Sequence, residues 1–109
     1  MSALHAGALR RRLALEAPVD VADDIGGVSR GFVEIARLWA SVAAVSGATR
    51  LEGDRLEQAI THRVVTRWRD DVTGGMRLRL GLRVLTIRAV RDPDGARRVL
   101  AIDCEETTP

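Results

Sequence analysis

The stretch THRVVTRWRDDVTGGMRLRLGLRVLTIRAVRDPDGARRVLAIDCE, residues 61–105, decides the fold class. Over 61–69 it alternates: His62, Val64, Thr66 and Trp68 share one face of an extended chain and Arg63, Val65, Arg67 and Arg69 the other, because strand side chains repeat with period two. Asp70-Asp71 and Gly74-Gly75 break the pattern, after which Met76, Leu78 and Leu80 oppose Arg77 and Arg79. Gly81-Leu82 turns the chain into 83–90, where Leu85, Ile87 and Ala89 form the next apolar row. Asp92-Pro93-Asp94-Gly95 has the chemistry of a tight turn, with proline presetting φ and glycine accepting φ > 0. A last strand covers 97–105, in which Cys104 alternates with Leu100 and Ile102 as a small buried hydrophobe.

Towards the N-terminus, Thr49 stands three residues before Glu52 as in a capping box, and Leu51, Leu56 and Ile60 can pack one side of about two helical turns despite Gly53. Residues 32–45 carry Val33, Ile35, Trp39, Val42 and Val45, which suit a longer strand partly buried on both faces. Residues 20–31, with Asp23-Asp24, Gly26-Gly27 and Ser29, read as a hairpin loop projecting into solvent. Leu9, Leu13 and Leu15 alternate with Arg10, Arg12 and Glu16 as a strand that Pro18 ends, although with Ala8 and Ala14 the same residues also suit a helix. The expectation is a mainly β fold, six short strands with one short helix and long loops, closing as a small barrel or a sandwich because open sheet edges invite aggregation. A chain of 109 residues is one domain, 1–109, with 1–8 and 106–109 as flexible ends and 45–60 as an inserted loop or short helix.

Composition narrows the function classes. The residues are 46% hydrophobic and 29% charged, ordinary globular material. The longest uncharged stretch, 38–49, is far short of the roughly 20 apolar residues a spanning helix needs, so no membrane partner is expected. No cationic region leads into an apolar run at the N-terminus, and a lone cysteine forms no internal disulfide, so the expected place of origin is the cytosol. A pI of 9.9 suggests a nucleic-acid binder, yet the net charge is only +2. The 17 basic residues are all arginine and tyrosine is absent, so little titrates at high pH to lower the isoelectric point. Arginine used without lysine fits either phosphate recognition or the coding bias of a GC-rich genome.

Signals for catalysis are poor: there is no nucleophile elbow, no phosphate loop and no histidine pair at metal spacing, so no catalytic residue, metal or cofactor is expected. His62 beside Val64 reads as a hydrogen-bonded structural histidine, Asp70-Asp71 as loop charges, and Glu105-Glu106 as solubilising charges. The alternative class is a small-barrel nucleic-acid-binding module in which Arg63, Arg67, Arg69, Arg77 and Arg79 face phosphates. Against it, only Phe32, Trp39 and Trp68 are available for base stacking, and the core is expected to take at least two of them.

The ordered set of features resembles the phage head closure family, the head-tail joining or stopper proteins of long-tailed phages. The features are 7–13 (GALRRRL), Thr61-His62-Arg63-Val64, Arg67-Trp68-Arg69, 72–77 (VTGGMR), Leu85-Thr86-Ile87 with Val90, Asp92-Pro93-Asp94-Gly95 and the closing strand 100–105. The resemblance spans 9–105, with Trp68 where the family often has tyrosine and with 20–29 in a freely varying region. It implies a non-enzymatic virion protein forming a ring, a hexamer, between the portal or adaptor protein and the tail terminator or tail tube protein, with double-stranded DNA passing through unread. Within the family pattern fall Thr61, His62, Arg67, Trp68, Met76, Arg77, Asp94 and Gly95, and the segment 45–60 would project into the channel, exposing Arg50, Glu52, Asp54, Arg55 and Glu57 as a gate. The arginine-rich style also suits a gene transfer agent.

Overall fold

The computed structural model describes residues 10–45 and 60–107. They form six strands: β1 (Arg11–Ala22), β2 (Val28–Ala44), β3 (His62–Arg67), β4 (Arg77–Leu80), β5 (Arg83–Arg91) and β6 (Val99–Glu106). Every pairing is antiparallel, and the order β1-β2-β3-β6-β5-β4 returns to β1, so the sheet closes as a barrel and not a sandwich. The inward row of each strand fills the interior: Leu13 and Leu15, Leu38 and Ala40, Val64, Leu78, Leu85 and Ile87, then Leu100, Ile102 and Cys104, with Val72 added from the loop after β3. A barrel this small has just enough room for side chains, and these residues occupy it. Thr66 is the one buried polar side chain among the described residues, and its hydroxyl donates to the Trp39 carbonyl at 2.7 Å.

Four expectations are corrected. Pro18 does not end β1, which runs on to Ala22 with Pro18 opposite Phe32. β4 covers the other side of β1 only at 14–16, so Pro18 lies on an edge, where a missing N–H is tolerated. The 20–31 loop therefore shrinks to a turn at 23–27, in which Asp23 Oδ1 accepts from the Ile25 and Gly27 amides at 3.0 and 2.7 Å and Gly26 takes φ +84. In β2 the inward residues are Ala36, Leu38, Ala40 and Val42, whereas Ile35 and Trp39 face out and Val33, beyond the barrel, stays half exposed. Plain alternation puts Trp39 on the opposite side from Leu38 and Ala40, where the Arg12 guanidinium lies 5.1 Å above its ring, and the register shift opposite Leu15/Glu16 leaves Ile35 as an extra residue. In β5 a second register shift between Ile87 and Ala89 turns Ala89 outward and brings Val90 against the core.

The expected short helix and the segment that holds it fall mostly in 46–59, outside the described residues, as does Leu9. Strand direction fixes where the connections go. The turns β1–β2, β3–β4 and β5–β6 leave one end of the barrel; the end of β2, the start of β3, the Gly81-Leu82 turn and the end of β6 lie at the other.

Candidate functional site

The family-pattern residues do not converge on one point; they divide between the two barrel ends. At the end carrying the β1–β2 turn, Asp94 accepts from the Ala96 amide and from Arg98 at 3.1 and 2.9 Å, and these hydrogen bonds hold its carboxyl below the usual range. Gly95, at φ +70, closes the turn through its amide to the Asp92 carbonyl at 3.3 Å. Asp92 takes the Arg97 amide, and Arg97, the one non-glycine residue at positive φ among those described, lays its guanidinium over Trp68 at 5.8 Å. Trp68 packs on the core and is tied to the same turn by its amide to the Arg98 carbonyl. Met76 precedes and Arg77 opens β4 at the same end. Met76 bonds Ile87 through its carbonyl at 3.0 Å, while Arg77 reaches Glu16 and stacks 3.9 Å over Phe32.

At the opposite end Thr61 and His62 anchor the base of the 45–60 segment. The Val45 amide donates to the Thr61 carbonyl and the Thr61 amide to the Cys104 carbonyl, both at 2.9 Å. The Thr61 hydroxyl oxygen accepts from the Glu106 amide at 2.7 Å and lies 2.9 Å from His62 Nδ1. Arg83 donates to His62 Nε2 at 3.2 Å, and because a guanidinium only donates, Nε2 is the acceptor and Nδ1 carries the hydrogen towards Thr61. Arg83 also forks onto Glu106 at 3.0 and 3.1 Å. His62 is thus the hydrogen-bonded structural histidine expected from its position. The gate residues Arg50, Glu52, Asp54, Arg55 and Glu57 lie outside the described residues.

The arginine face is largely neutralised. Arg63 and Arg91 share Asp103, Arg77 and Arg79 share Glu16, Arg69 forks onto Asp71 and Arg88 onto Glu105. Of the five arginines considered for phosphate contact, Arg67 alone has no ion-pair partner among the described residues. Burial pushes Asp103 up, but the Arg91 and Arg63 hydrogen bonds outweigh it and hold the carboxyl low. Glu105 and Glu106, expected only to solubilise, are ion-pair partners instead, and Asp71 is the counter-ion of Arg69. The core takes Trp68 but neither Trp39 nor Phe32, so it needs fewer aromatics than expected. Sequence reasoning missed Glu16, Asp103 and Arg83; the signal was opposite charge on neighbouring strands, usable only once the register is known. No three His, Cys, Asp or Glu side chains gather into a possible metal site among the described residues. Burial, with the Asp103 charge beside it, pushes the Cys104 thiol up to about 12.

The profile of the phage head completion protein family matches residues 4–107. The chain belongs to that family. Head completion proteins are structural components of the virion, which places this one in the particle and makes it no enzyme. Among solved structures, this head completion protein is similar to a chain from the virion of a native gene transfer agent particle, at 29% identity over 93% of this chain and 97% of that one, TM-score 0.63. It is also similar to protein SF1141 from Shigella flexneri 2a, at 26% identity over 94% and 96%, TM-score 0.68. No curated protein matches it.

Proposed function

We propose that this head completion protein forms a ring, a hexamer, at the head-tail junction of a tailed phage or a gene transfer agent particle, where it closes the portal channel over packaged DNA and gives the tail its docking surface. The observation that carries the reading is the likeness, along nearly the whole chain, to a chain of a gene transfer agent virion. The topology supports it. Connections leave the barrel at two opposite ends, so one end can meet the portal or adaptor protein and the other the tail terminator or tail tube protein. The 45–60 segment, rooted at Thr61 and His62, is the gate, with Arg50, Glu52, Asp54, Arg55 and Glu57 as its polar surface. Arginines already held by carboxylates add few phosphate contacts, and each contact avoided removes salt-sensitive affinity, so DNA passes without being read or gripped.

The test is an in-frame deletion of this gene, followed by electron microscopy of the particles and nuclease protection of their DNA. Full-sized heads and separate tails, unjoined, with the head DNA lost or digested, are the expected result. Normal tailed particles with protected DNA would overturn the reading.

A further inference from the structure

Beyond the barrel, β1 and β2 continue as a two-stranded arm with a free edge on each side. β4 covers β1 only at 14–16, and β3 covers β2 only at 40–44, so among the described residues no strand pairs with the outer edge of 17–22 or of 28–39. One face of this arm is apolar. A Cβ added to Gly31 would meet the Val21 and Val19 methyls at 3.5 and 3.9 Å, which puts both valines over Gly31, and alternation along β2 adds Val33 to the same face. These valines stay 48%, 38% and 46% exposed. The other face carries Asp20 and Arg30, cross-strand partners whose charged atoms approach only to 3.9 Å. A lone two-stranded ribbon with a half-wet apolar face is marginal in water; further strands are what stabilise one.

The geometry points to edge-to-edge pairing of arms between neighbouring copies in the ring, the β1 edge of one copy against the β2 edge of the next. This rests on the ring reading above. Three observations select a second copy of this chain as the occupant. The two free edges lie on opposite sides of one hairpin, so a head-to-tail contact uses each edge once per copy, and such a contact closes under rotational symmetry. β1 and β2 are antiparallel, so arms placed side by side around an axis bring β2 of one copy antiparallel to β1 of the next, the more stable ladder. The edges also carry opposite charge. Asp20 and Arg30 keep side-chain exposures of 70% and 64% within one chain, leaving each free to meet the opposite residue of a neighbour. Pro18 and the extra residue Ile35 bound the ladder on the barrel side, confining it to 19–22 and 28–33.

The decisive experiment traps the contact inside particles. Asp20→Cys and Arg30→Cys chains, differently tagged, are co-expressed in a host lacking the wild-type gene, and purified particles are oxidised. The native Cys104 is buried and does not compete. Disulfide dimers of unlike tags, at least tenfold above those from either variant alone, are expected. Like-with-like dimers at equal yield, or no dimers in particles holding both chains, would overturn the inference. If a folded cysteine variant fails to enter particles that admit the wild type, charge reversal decides: Asp20→Arg and Arg30→Asp, each excluded alone, must enter together, and failure of that rescue overturns the pairing. Absence of the wild-type chain itself from particles would sink the ring reading instead.

Discussion

Asp103 sits on β6 between two guanidinium groups that reach it from β3 and β5, so a single carboxylate fastens three adjacent strands. Its folded pKa is lowered, and its stabilisation is therefore complete above the unfolded value of about 3.9 and is lost as pH falls through the folded one. Asp103→Asn should cost about 1–2 kcal/mol at pH 7, the arginines being half exposed, and urea titrations should find the gap to wild type shrinking below about pH 4. Thr66→Val removes the donor to the Trp39 carbonyl inside the barrel wall and should cost about 1–2 kcal/mol in the same assay, with no pH dependence between 5 and 8. Such residues differ in how far sequence discloses them. Leu78, Leu100 and Cys104 announce themselves by alternation, because burial and period are the same signal. Glu16, Asp103 and Glu106 do not, because a carboxylate's partner depends on which strand lies beside it.

Strand positions were mostly readable, since turn chemistry at Gly74-Gly75, Gly81-Leu82 and Asp92-Pro93-Asp94-Gly95 brackets β4, β5 and β6. The errors came where the backbone changes phase. The extra residues at Ile35 and Arg88 reverse which side chains face inward, and a period-two reading carries no trace of them. Pro18 misled for a related reason: whether a proline stops a strand depends on whether the other edge is covered, which is a property of the sheet. No residue of the arm beyond Ala17 and before Val33 belongs to the buried core. Replacing 18–32 by Asn-Gly, a two-residue turn suited to joining Ala17 to its partner Val33, should thus lower barrel stability by less than about 2 kcal/mol, read as a small shift of the urea midpoint with near-ultraviolet dichroism retained.

A barrel that is closed, fully packed and mostly charge-neutral on its flanks leaves its specificity to what projects from its ends. If 45–60 gates the channel, a short Gly-Ser linker in its place should leave the barrel folded but let DNA leak from tailless heads; retention equal to wild type would refute the gate. Because four of the five candidate arginines are paired, fluorescence anisotropy should find no micromolar binding to duplex or single-stranded DNA at 150 mM salt, whereas a binding module would hold it. The fold class could be read from 61–105, but the division of the family-pattern residues between two ends could not, since it follows from strand direction around a closed sheet. Cys104, the chain's one sulfhydryl, is fully buried inside that barrel, near the end where β3 begins, with its thiol pushed up to about 12. An alkylating reagent at pH 8 meets no reactive sulfur until the staves part, and in the opened chain the thiolate becomes available near its ordinary value of about 8.5. The protein therefore carries its own stopwatch: with reagent in excess, so that labelling outpaces reclosing, the labelling rate counts how often the barrel opens, with no residue added to the chain.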